Sequence, residues 1–308
     1  MFVELHIIQN FAPSNLNRDD TNNPKDCEFG GVRRARISSQ CLKRSIRLDP
    51  RFADCTGIPA STRTNRLAAQ LAKALVSAGV AEDQATKSAE TFAGYYSSKK
   101  GTVDKGKTNV LLFLGQAEIE RIASQLIALG DDLKEVKTFA EDFAKATAGR
   151  PGAPDIAMFG RMLADRPETN VDAACQVAHA ISTHAVNMDI DFFTAVDDLL
   201  PSGETGAGMM GVTGFNSACF YRYACINFDL LVSNLDGDVD LARRSVEGFL
   251  RASKCAIPTG KQTSFAAQNP PSFMLAVLRD DSQCWSLANA FEKPVYVSGR
   301  TSLLDASI

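Results

Sequence analysis

Residues 30–47 read GGVRRARISSQCLKRSIR and hold six Lys or Arg with no Asp or Glu, in a chain that counts 33 basic against 36 acidic residues. The first half, VRRARIS (32–38), has strand periodicity, which places Arg34 and Arg36 on one face and Arg33 on the other. Ser38 or Ser39 then fits the N-cap of a helix running through Leu48, and Pro50 helps to end it. On that helix Gln40, Lys43, Arg44 and Arg47 share one face at i, i+3, i+4 and i+7, while Leu42, Ser45 and Ile46 can pack on a sheet. Cations on one helical face repel each other unless they stay solvated or meet phosphates. The first free N–H groups of the helix, with Ser38 and Ser39, supply further anion donors. Arg34 or Arg36 from the strand, and Arg18 and Lys25 from the polar loop before it, extend the track. A merely solvated basic face is the plainer alternative. The acid-free run, the helix start and the second pool of basic residues favour a grip on a phosphate backbone.

Working outward, charge is sorted along the chain. The first 48 residues hold eight basic and five acidic groups, and the remainder 25 and 31. A pI near 5.7 argues against general attraction to nucleic acid or membrane through net charge. At 308 residues and 45% hydrophobic, the chain can bury a full core. Eight Cys without any CxxC pair support neither a disulfide scaffold nor a zinc knuckle. The opening MFVELHIIQNF alternates like a half-buried strand and lacks the basic start of a signal peptide. No run approaches the length of a membrane span. The expectation is a soluble cytoplasmic protein with free thiols.

From residue 61 to about 147 the character changes to Ala-rich segments with helical spacing, separated by Gly and polar turns. GRPGAP (149–154) marks the exit from this insertion. DIAMFGRML (155–163) and CQVAHAISTHAVNMDI (175–190) read as strands or mixed segments, and CFYRYACINF (219–228) and PSFMLAVLR (271–279) as strands. LARRSVEGFLRASK (241–254) reads as a helix. Strands and helices outside the insertion alternate as in an α+β or split-βαβ fold. Residues 191–219 are rich in Gly yet carry Phe192, Phe193, Met209, Met210 and Phe215, a composition that suits an arm packed on a partner.

SNLNRDDTNNPKDCEFGGVRRARISSQCLKRSIR (14–47) resembles the N-terminal signature of the CasC family, the Cas-seven-type backbone subunits of type I-E CRISPR Cascade complexes in the RAMP superfamily. The likeness continues in order through FGRM, AHAISTHAVNMDIDFFTAVDDL, CFYRYACINFDLL, KQTSFAAQNP and SLANAFEKPV, and skips chiefly the helical insertion. It implies a modified RRM/ferredoxin-like palm over residues 1–60, 151–190 and 220–308, helical fingers over 61–150, and a thumb arm over 191–219. It also implies a subunit without enzymatic activity or cofactor. Such a subunit would bind crRNA, stack head to tail with further copies of itself and with other Cascade subunits, and display the guide to target DNA. The family usually continues past a point like the closing SLLDASI, which reads as the start of an amphipathic helix.

Carried over by motif, the guide-backbone contacts fall on Arg18, Lys25, Ser38, Gln40, Lys43, Arg44 and Arg47. Met162 in FGRM matches an apolar wedge against the bases, with Arg161 beside it within reach of a phosphate. Phe193 and Thr194 match the part of the thumb that closes over a displaced nucleotide, and Lys261 and Gln262, in the loop PTGKQTS, are candidates for further RNA contacts. Phosphate contacts hold a strand without reading its sequence, which suits a protein that accepts any guide. Two other chemistries compete. His179 and His184, five apart, do not share a helical face, and a structural role donating to backbone carbonyls is preferred over metal ligation. Asp189, Asp191, Asp197 and Asp198 would suit a metal-dependent endoribonuclease. The preferred reading of that run is a surface that meets the basic face of a neighbouring copy.

Overall fold

The computed structural model describes residues 1–146, 152–196, 198–199, 207–281, 283–297 and 299–308. In chain order they form β1 (Phe2–Ser14), β2 (Asp26–Phe29), β3 (Val32–Ile37), α1 (Ser39–Arg47), α2 (Pro50–Thr56), β4 (Thr62–Thr64), α3 (Leu67–Ser77) and α4 (Glu82–Ser97). Next come β5 (Val103–Asp104), β6 (Lys107–Thr108), β7 (Leu112–Leu114), α5 (Gln116–Leu129), α6 (Leu133–Ala146), α7 (Pro154–Phe159), β8 (Cys175–Val177) and β9 (Ala180–Ser182). The chain ends with β10 (Asp189–Val196), β11 (Ala207–Asn227), α8 (Phe228–Asn234), α9 (Val239–Cys255), α10 (Gln262–Phe265) and β12 (Phe273–Arg279). The fold is α+β, as the alternation of elements predicts. No described helix is long and apolar enough to cross a membrane.

The chain divides into two compact units. One comprises Met1 with residues 50–176 and 226–251, and so extends past the expected 61–150 insertion at both ends. Its core gathers one face of each of α3 to α6. Leu67, Leu71, Phe92, Ile122 and Val136 are all fully buried there, and Phe143 nearly so. Phe92 stacks on Tyr96 at 5.7 Å between centroids and meets Phe143 edge-on at 5.9 Å. The segment 155–163, expected as a strand or mixed, is a helix over its first part. Pro154 supplies a preset first-turn φ, and Gly160 at φ 81° stops the helix after one and a half turns. A short continuous apolar run such as IAMF (156–159) carries no period that separates strand from helix.

The other unit comprises residues 2–49, 177–225 and 252–308. Its sheet runs in the order β12-β1-β11-β9-β3-β2, with β10 folded back on β11 as an antiparallel hairpin. β1 lies between β12 and β11 and is buried from Val3 to Gln9, including Glu4 and His6. The expected half-buried strand is therefore covered on both faces. Its polar side chains are satisfied inside: Tyr223 Oη and Trp285 N donate to Glu4 Oε1 at 2.8 and 2.6 Å, and Arg279 pairs with Glu4 Oε2. α1 packs Leu42 into a cluster with Phe11, Ile37, Ala218 and Phe220, which fixes how the helix presents its outer face.

Candidate nucleic-acid interface

α1 begins where its sequence demands. Ser38 is extended, with φ −67° and ψ 148°, and its Oγ accepts from Cys41 N at 3.3 Å. Its own N–H donates to Asn17 Oδ1 at 2.8 Å, which ties the helix start to the polar loop. That loop folds on itself: Asp19 Oδ1 accepts from Thr21 N, Thr21 Oγ1 and Asn23 N at 2.9, 2.8 and 2.9 Å. The Thr21 hydroxyl, ahead of a smaller opposing burial effect, holds the Asp19 carboxyl below its ordinary range. Arg18 Nη1 donates to Asn22 Oδ1 at 2.9 Å, and Asn22 adopts the left-handed φ of 71° that the turn requires. Loop, helix and the 259–260 turn enclose an open groove of about 410 Å³, with Arg18, Asn17, Arg44 and Thr259 among its lining. Gly260 closes this groove by necessity, since a Cβ there would collide with the backbone oxygens of Asn15 and Leu16.

Arg44 is exposed in this groove together with Asp19 and Asp20, half-buried Lys25 and Arg36 line a small cleft that shares Leu16 and Asn17 with it, and on α1 Gln40 is exposed and Lys43 half-buried. Arg36 Nε donates to Asp26 O at 3.0 Å, and its Nη1 lies 3.0 Å from His179 Nδ1. Burial first, and then the charges of Arg36 and Lys25, lower the His179 pKa. His179 thus belongs to the cationic patch, a placement that sequence reasoning missed because it comes from the β3–β9 pairing. His184 is structural, as expected. It donates from Nδ1 to Ala185 O at 2.9 Å and accepts at Nε2 from Cys219 N at 3.2 Å.

Three of the expected RNA-facing arginines are interior instead. Arg34 is fully buried and donates to the carbonyls of Phe29, Ser182, Phe291 and Glu292 at 3.1, 3.2, 2.7 and 3.1 Å. A cation in that position holds three backbone segments together, so it does not extend the surface track. Arg47 is 9% exposed, because at the last turn of α1 its side chain lies toward the protein. Arg161 is buried against Glu118, with Nη1 to Oε1 at 3.0 Å, and its Nε donates to Thr169 O at 2.8 Å. Its neighbour Met162 points the other way and is 83% exposed.

The β10–β11 hairpin carries exposed Ile190, Phe192, Phe193, Met209, Met210 and Val212. Phe193 pairs with Gly211 and its ring occupies the space that a Cβ at Gly211 would need. Phe193 and Thr194, expected together over one nucleotide, are strand neighbours and face opposite sides. Asp189 and Asp191 lie on the Phe193 side, and Asp198 is exposed beyond the strand. Asp197 lies outside the described residues. Among the described residues no three His, Cys, Asp or Glu are grouped so as to hold a metal ion. Lys261 is half-buried at a left-handed φ of 50°. Gln262 is committed to its own loop, with Nε2 donating to Pro258 O and Ala267 O at 3.0 and 3.3 Å.

No curated protein matches the chain. Among solved structures, a chain of "CRISPR RNA-guided surveillance complex, pre-nicking" is 34% identical with a TM-score of 0.86, over 98% of this chain and 85% of that one. A chain of a "CRISPR RNA-guided surveillance complex" is 29% identical with a TM-score of 0.59, over 98% and 78% respectively. The family model described as CT1975-like protein matches residues 3–308. With that match spanning nearly the whole sequence, the chain belongs to the CT1975-like family, the Cas-seven-type backbone subunits of CRISPR Cascade complexes.

Proposed function

We propose that this protein is a non-catalytic guide-RNA subunit of a type I-E surveillance complex that works in the cytoplasm. The observation that carries this reading is the groove between the 15–25 loop and α1, where Arg18 and Arg44 stand with Asp19 and Asp20, and the small cleft beside it that Lys25 and Arg36 line. Contacts of this kind hold phosphates in register without reading bases. Met162, held outward, wedges beside a base, and the apolar hairpin covers a neighbouring copy as subunits stack head to tail along the guide. The bases between contacts are then displayed to target DNA. Two solved structures it resembles belong to CRISPR RNA-guided surveillance complexes, which supports the RNA partner.

Salt titration of single-stranded RNA binding tests this. The logarithmic slope should be about −0.7 for each phosphate neutralised. Replacing Arg18, Lys43 and Arg44 together with Ala should flatten it and prevent co-purification with RNA. An unchanged slope in that triple variant overturns the reading.

A further inference from the structure

A second open groove, of about 520 Å³, lies within the helix-rich unit and is walled by Arg63, Leu111, Phe113, Gly160, Met162 and Asp172. β4 and β7 pair so that Arg63 stands directly opposite Phe113. The exposed Arg63 guanidinium lies over the Phe113 ring, 4.6 Å from its centroid. Met162 and Leu111 present thioether and aliphatic surface at 83% and 59% exposure. One buried side chain connects the walls. Arg161 Nη1 donates to Phe113 O at 3.3 Å, while its backbone pairs with Val171 in both directions, N–H to O at 3.0 Å and O to N–H at 2.8 Å.

We propose that Arg63, stacked on Phe113, forms with Leu111 and Met162 a clamp for one unpaired base of a bound RNA strand. The proposal rests on the guide-RNA reading above and adds Arg63 as a planar wall of the groove that the methionine also lines. The chemistry selects a base over a phosphate. Met162 and Leu111 give a phosphate no donor and the exposed Asp172 carboxylate repels it, whereas a heteroaromatic ring stacks on the Arg63 guanidinium plane and offers amino hydrogens to that carboxylate. Stacking of this kind tolerates any base, which suits an arbitrary guide.

The test uses the assembled particle carrying RNA substituted with 4-thiouridine, irradiated and digested, with adducts mapped by mass spectrometry. Adducts are expected on peptides containing residues 63, 111 and 162, in addition to those on residues 18–47. Arg63→Ala should lower the groove adducts roughly fivefold or more, the low end of base stacking, and leave the salt slope of binding unchanged. Arg63→Lys should lose nearly as much, because it keeps the charge without the plane. Full retention in Arg63→Lys, or RNA that crosslinks only to residues 18–47, overturns the clamp while the guide-RNA reading stands. RNA that binds nowhere on the particle overturns both.

Discussion

Arg161 and Glu118 form an ion pair at 3.0 Å with both side chains almost wholly buried, one residue before a methionine that is almost wholly exposed. Glu118 also accepts from Gly115 N at 2.8 Å through its other oxygen, so the pair joins the start of α5 to the Met162 turn. Breaking a buried pair leaves an uncompensated charge, typically at about 3–5 kcal/mol. Glu118→Ala should therefore destabilise the protein by that order in urea unfolding, and Glu118→Gln by less because it keeps acceptor and donor. A loss below about 1 kcal/mol in Glu118→Ala would show that Arg161 is satisfied by the carbonyls of Thr169 and Phe113 alone.

The six cations of residues 30–47 separate into two physical classes, which gives a paired prediction. Arg34→Met strands four carbonyls in the interior and should cost roughly 3 kcal/mol or more of stability. Arg44→Ala removes an exposed charge, should leave stability nearly unchanged, and should reduce the salt slope of RNA binding by about 0.7. Should Arg34→Met keep full stability, or Arg44→Ala keep the full slope, this division is wrong.

That division also marks how far the sequence could be read. α1 was legible because its cap, its apolar spacing and its stop are local: Ser38, Leu42 and Ile46 need no distant partner to declare themselves. The interior place of Arg34 was not. The carbonyls that satisfy it belong to residues 182, 291 and 292, brought there by the sheet and by a distant chain segment. Arg161 was hidden in the same way by Glu118, 43 residues away. The opposite facing of Phe193 and Thr194 was available from strand periodicity alone, but the family likeness drew attention to adjacency instead. The placement of His179 beside Arg36 required the pairing of β3 with β9, which no local pattern encodes.

Acid should weaken the fold through β1. Burial pushes the Glu4 carboxyl up, but hydrogen bonds from Arg279, Tyr223 and Trp285 N more than offset this and leave it below its ordinary value of 4.5. A lowered carboxylate contributes stability that is present above 4.5 and is lost as pH falls through the folded-state value. His6, buried beside Tyr221 Oη at 2.8 Å, is lowered by burial from 6.5, so protonation of the unfolded chain costs further stability below that pH. Stability measured by denaturant titration should therefore decline from about pH 6.5 downward and steepen below about 4.5. Glu4→Gln should make the acid part less steep, with Asp19 still contributing, and retain the shallow part. An identical acid limb in that variant would assign the loss to other carboxylates.

RNA affinity should rise on mild acidification through His179. The imidazole is held low by its burial and then by Arg36 and Lys25, which repel its proton. A phosphate arriving between these cations neutralises that repulsion and raises the His179 pKa in the complex relative to the free protein. Binding is then coupled to proton uptake, so affinity should increase as pH falls from 7.5 toward 6, the direction required whenever the bound form holds more protons. His179→Gln should flatten this dependence while leaving binding at the upper end of that range close to unchanged. A pH dependence that persists undiminished in His179→Gln would place the proton elsewhere and remove His179 from the RNA-facing surface.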